Sequence, residues 1–278
     1  MFNIKFSFFS IISILFFLSG LTALVYQIIW MRQLSLFFGS DVYATTITLG
    51  TFMAGLSLGG YISGLIGDNL KKPILIYGIL EIFIALSAAL FPLIIFGMDE
   101  TFRIVYQNYF FDQPLKYQLF RLLISIFTLL IPTIFMGATL PLLIRQFAIK
   151  KIELGEKVGF FYSINTFGAL TGTILAGFIL IQIAGITYST IIMVITNIVV
   201  GIIAIIFSFN SFEKKDNFFP KQSQKRNILD EEKIHKFDPK YILFSTFFTG
   251  MAALALEVVW TRILVKSFSG TTHSFSIM

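Results

Sequence analysis

The chain has 278 residues and a net charge of +6; 56% of it is hydrophobic and only 13% is charged, against roughly 25% charged in soluble domains. No polar stretch is long enough to build a large soluble core. There is no cysteine and there are only two histidines, His235 and His273, which excludes disulfides and thiolate catalysis and gives no basis for a metal centre.

Seven apolar runs follow in order: Phe6–Met31, Val42–Ile66, Ile74–Gly97, Tyr117–Leu143, Val158–Ile183, Thr187–Phe209 and Tyr241–Val265, each at least 23 residues long. A helix needs about 20 residues to cross ~30 Å of hydrocarbon, so seven membrane helices are predicted. The first run exceeds a signal-peptide core of about 7–15 residues, and no small-x-small cleavage site follows it. It reads as an uncleaved helix. With a cytoplasmic amino terminus, 15 of the 21 basic residues fall on the inside. The charge therefore encodes orientation in a cell membrane and not nucleic-acid binding, since the basic residues alternate with acids and form no aromatic-lined patch.

The first span carries Phe17 and the segment Gly20–Arg32, which return 230 positions later as Phe247 and Gly250–Arg262. Identities include Gly20/Gly250, Trp30/Trp260 and Arg32/Arg262. Such a self-match predicts a duplicated unit. At 100° per residue most of the identities lie on one stripe of one helix. The stripe is a packing surface, with Trp30, Arg32, Trp260 and Arg262 as interface anchors, or it lines a polar cavity through the equivalent positions Gln27 and Glu257.

The second span holds Gly55-xxx-Gly59 and Gly60-xxx-Gly64, and the fifth holds Gly168-xxx-Gly172. With Gly20 and Gly250, these are expected tight helix contacts. Between spans two and three, Gly64, Asp68, Lys71 and Lys72 form an inside loop motif, with an ordinary solvated loop as the plain alternative. Only two acids lie within spans, Glu81 and Glu257. Glu81 is seven residues into the third span, and Asn165 stands at matching depth in the fifth with Tyr162 and Ser163 beside it. The pair reads either as a structural hydrogen bond or as a substrate or proton site. Pro92, Pro132 and Pro141 are potential kinks.

Residues 210–240 form a charged cytoplasmic linker, either a solvated connector or a dock for a soluble partner. The domains are thus 1–209, a six-helix membrane unit; 210–240, the linker; and 241–278, the start of a second membrane repeat, expected to be truncated. Six helices bring the chain back to its starting side, so the repeat is parallel. There is no Walker A or Gly-x-Gly-x-x-Gly sequence, and no cofactor is expected.

Several segments together resemble one family: Phe17–Arg32, Thr51–Tyr61, Tyr77–Glu81, Pro132–Pro141 and Tyr162–Leu170 with Ala176-Gly-Phe. They are similar to the membrane region of fused, multi-pass spermidine-synthase-like proteins, whose bundle resembles that of major facilitator transporters. Asp68 sits in a Gly-xxx-Asp…basic loop resembling that of the same transporters, with Asn69 and Leu70 departing from the pattern. The resemblance implies an all-α polytopic bundle: a major-facilitator-like six-helix unit plus the first helix of a parallel repeat. It further implies a role in polyamine biosynthesis, as membrane anchor or product channel, for a complete protein. Family members often have Glu where Gln27 stands. The catalytic aminopropyltransferase domain has no counterpart here, so no catalytic residue is carried over. Expected partners are the lipid bilayer and either a soluble aminopropyltransferase domain or the missing second membrane half. The alternatives are a stand-alone transporter-like protein for a small, cationic solute, and a fragment without function of its own.

Overall fold

The computed structural model describes residues 2–67, 70–97, 99–111, 113–147, 151–210 and 239–268. Asp68, most of the linker and the stretch after Phe268 lie outside them. The described residues form helices throughout: α1 (Phe2–Phe38), α2 (Asp41–Ile66), α3 (Pro73–Gly97), α4 (Asp99–Val105, running into a π turn at Tyr106–Phe110), α5 (Pro114–Phe147), α6 (Lys151–Leu175, with a π turn at Ala176–Leu180), α7 (Ile181–Asn210) and α8 (Pro239–Phe268). In an apolar medium a helix satisfies its own backbone, which is why unbroken apolar runs take this form. Pro92 lies inside α3, and Pro132 and Pro141 inside α5, without ending either helix.

Among the described residues, six helical stretches are long and apolar enough to cross a membrane, and one of them, Gly155–Phe209, is far too long for a single crossing. It breaks at Gly185, where φ is 72° and ψ 176°, a region open essentially to glycine alone. Contact register shows that the chain reverses there. On α1 and α6, Gly168 lies against Phe17 and Gly172 against Leu21, so these helices are parallel. On α1 and α3, Phe16 meets Tyr77 (ring centroids 6.3 Å apart) and Trp30 meets Phe91 (5.4 Å), again parallel. On α3 and α7, Gly78 lies against Gly201 and Ile205 whereas Glu81 meets Asn197, which is antiparallel. Hence α7 runs opposite to α6.

The same reasoning fixes the rest. Phe8 meets Phe147 at one end of α1 (5.8 Å) and Phe37 meets the Arg121 guanidinium at the other (4.1 Å), so α5 is antiparallel to α1. Gly55 faces Thr133, and Ser63 Oγ donates to the Ala138 carbonyl (3.0 Å), so α2 is parallel to α5. Helices α1, α3 and α6 run one way; α2, α5 and α7 run the other. Each predicted span from first to sixth therefore has its own crossing. α1 sits at the centre, packed on α2, α3, α6 and α7. The outer surface is apolar: Ile14, Phe83, Leu93, Phe127, Ile131 and Ile183 are all exposed. Apolar helices with such a surface fit a multi-pass membrane protein in contact with a lipid bilayer.

α1 continues past Met31 to Phe38, so Trp30 is not near its end. It is 0% exposed, stacked on Tyr26 (5.4 Å, 9° between planes) and packed on Phe91. The expected interface anchor is thus a core residue, because its side chain points at α3 and not at lipid. Arg32 beside it is half-buried.

The glycines divide. A Cβ on Gly20 would meet Asn165; on Gly55, Thr133; on Gly59, Ile134; on Gly168, Phe17; and on Gly172, Leu21. These are close helix contacts. Gly60 has only an ordinary contact with Gly137 at 3.7 Å, and Gly64 and Gly250 have nothing within 4 Å. Gly60 and Gly64 lie about 140° and 180° around α2 from Gly55, away from the face on which α5 packs most closely. Gly250 is on α8, which stands outside the bundle and packs chiefly on α2. Arg262 on α8 is exposed, Lys71 is exposed, and Lys72 lies over the Phe209 ring at 5.4 Å.

Candidate functional site

Glu81 stands in the middle third of α3 and is completely buried. A carboxylate so placed is costly unless donors reach both oxygens. Two do. Ser19 Oγ from α1 donates to Oε1, and Asn197 Nδ2 from α7 donates to Oε2 at 3.0 Å. Gly78 and Gly201, facing each other one turn away on α3 and α7, allow the close approach that makes the second bond.

Two phenols flank the acid. Tyr77, one turn before Glu81 on α3, borders both Ser19 and Glu81, and Tyr26 on α1 lies within electrostatic reach of Glu81. Neither hydroxyl makes a hydrogen bond of good geometry, and the Asn197 Oδ1 atom is likewise buried without a partner. The site is therefore an acid with two bonds made and three polar atoms beside it unsatisfied. The apolar cluster of Ile12, Leu15, Phe16, Ile74, Leu143 and Phe161 closes the end toward the start of α1.

Asn165 does not pair with Glu81. It packs against Gly20, and Gly20 and Ser19 are about 100° apart on α1, so one faces α6 and the other α3 and α7. Depth alone selects Asn197 as readily as Asn165, since both stand mid-span. The missing signal was which faces of α1 the two helices occupy. Tyr162 and Ser163 are exposed. Gln27 is buried in α1, while Glu257 is half-buried on α8, so the two equivalent positions lie in different surroundings. Ser19 and Tyr26 were legible as mid-span polar residues seven apart on one helix face, and Tyr77 as the i−4 neighbour of Glu81.

No group of three or more metal-ligating side chains occurs among the described residues. No protein-family model, no curated protein and no solved structure matches the chain.

Proposed function

We propose that the chain is the membrane module of a spermidine-synthase-like protein, the first major-facilitator-like six-helix unit of a parallel pair, which anchors a catalytic aminopropyltransferase partner at the cell membrane. The observation that carries this reading is the contrast between two copies of one sequence stripe. In α1 the stripe is at the centre of a six-helix bundle; in α8 it stands outside, with Trp260 55% exposed. A stripe of that composition is built to be surrounded, and a second unit around α8 supplies the surroundings. The family-like segments also provide the close helix contacts, at Gly20, Gly55, Gly59, Gly137 and Gly168. Lys72, Arg145 and Lys157 gather at the end where α1 begins, which supports a cytoplasmic amino terminus.

Membranes carrying the chain, given putrescine and decarboxylated S-adenosylmethionine, are expected to form no spermidine. A soluble aminopropyltransferase domain of this family is expected to sediment with them. Turnover by the chain alone, or a domain that stays in the supernatant, would overturn the reading. A transporter-like role for a small cationic solute is favoured by one observation, the half-buried acid Glu257 on α8. Putrescine uptake by proteoliposomes above that of protein-free vesicles would establish it.

A further inference from the structure

We propose that Glu81 and Asn197 form a proton-binding switch in the membrane interior, reached from the α4 end of the bundle along Tyr26, Ser189 and Gln33. This rests on the reading of the chain as a membrane unit and not on the spermidine-synthase resemblance.

The size of the site selects the ligand. Glu81 is fully buried and both of its oxygens are engaged by Ser19 and Asn197. A solute has no room there, whereas a proton needs none. The titratable groups that face Glu81 are Tyr26 from α1 and Tyr77 from its own helix. α7 contributes the neutral Asn197, and α5, packed on another side of α3, presents Phe135 to Phe83. No lysine or arginine is among the groups acting on it, so no internal cation holds it ionised.

Asn197 is suited to both states. Its Nδ2 now donates to Oε2, and its Oδ1 is buried without a partner. A half-turn of the amide exchanges donor for acceptor at nearly the same shape. A hydronium ion gives its proton to Oε2: one O–H bond forms at the carboxyl, one breaks in the hydronium, and neutral water leaves. The new O–H then donates to Oδ1, while Ser19 continues to donate to Oε1. The reverse sequence releases the proton.

The path lies on one side. Tyr26 is about 10 Å and Gln33 about 21 Å beyond Ser19 along α1, and Ser189 is about 12 Å from Asn197 in the same direction along the antiparallel α7. Tyr26 Oη, Gln33 Oε1 and Ser189 Oγ are each buried with no partner in the protein. Buried polar groups are almost always bonded to protein or to water, and an internal water binds 2–4 polar partners. Waters along this row satisfy the three groups and conduct the proton. In the opposite direction, beyond Tyr77, Phe16, Phe161 and Phe9 meet edge-on in succession (6.0 and 5.7 Å), and the buried Ser13 hydroxyl there already donates to the Phe9 carbonyl.

The full chain in lipid nanodiscs, followed by infrared difference spectroscopy, tests this. A carboxyl carbonyl band is expected to appear and vanish with pH, to shift in D2O, to be absent in Glu81→Gln and to persist in Glu257→Gln. If Glu81→Gln does not fold, Glu81→Asp is expected to move the band. Ser189→Ala and Gln33→Leu are each expected to slow the D2O shift about ten-fold, the effect of roughly 1.4 kcal/mol on a barrier. The proposal is overturned if no titrating band depends on residue 81, or if both row variants exchange at the wild-type rate. Failure to recruit an aminopropyltransferase leaves either result unchanged.

Discussion

Trp30→Ala is expected to destabilise the folded protein by roughly 3 kcal/mol, while Trp260→Ala leaves it within about 0.5 kcal/mol of wild type. Trp30 is enclosed by Tyr26 and Phe91, and its removal opens a cavity that α1, held on several sides, cannot collapse. The value is set at the lower end of the range for buried tryptophan. Inside a bilayer the reference for an apolar group is lipid and not water, so the loss is mainly of packing. Trp260 is mostly exposed on α8 and has little to lose. Unfolding in detergent micelles, followed by intrinsic fluorescence of the remaining tryptophan, measures both. A difference of 3 kcal/mol is more than 100-fold in the folded-to-unfolded ratio. Equal effects would mean that the two copies of the stripe share one environment.

The second large effect concerns α2 and α5. Gly59→Ala is expected to cost about 1–3 kcal/mol, and Gly64→Ala to be neutral or stabilising by up to about 1 kcal/mol. Alanine is the better helix former at both sites, by roughly 1 kcal/mol. At Gly64 nothing opposes that gain, since a Cβ there meets nothing within 4 Å. At Gly59 the Cβ falls on the Ile134 carbonyl, a backbone atom that cannot turn aside. The clash outweighs the propensity term, so the two substitutions carry opposite signs. Thermal midpoints of the two variants in the same detergent decide it. A stabilised Gly59→Ala would show that α2 and α5 are not in close contact.

The number of the first six crossings was legible in the apolar runs, because hydrocarbon thickness sets a length that composition reveals; their ends were less so, since α1 runs on past Met31 to Phe38. Which glycines pack was half legible. Gly55-xxx-Gly59 and Gly60-xxx-Gly64 have the same spacing, and only the direction of α5 separates them. Trp30 was placed at an interface because the apolar run ends at Met31, but the helix continues to Phe38 and Trp30 lies in the core. Glu81 was legible as a mid-span acid. Its partners were not, because Ser19, Asn165 and Asn197 are all mid-span polar residues, and depth does not say which side of α1 each neighbour takes.

The central claim is a membrane unit whose helices alternate in direction, with α6 and α7 reversing at Gly185. The absence of cysteine makes it directly testable. Single cysteines at Ser40, Gln113 and Thr187 are predicted to react with a membrane-impermeant maleimide on intact cells, whereas one at Lys71 reacts only after permeabilisation. Labelling of Lys71 together with Ser40 on intact cells, or of Thr187 only after permeabilisation, would contradict the arrangement.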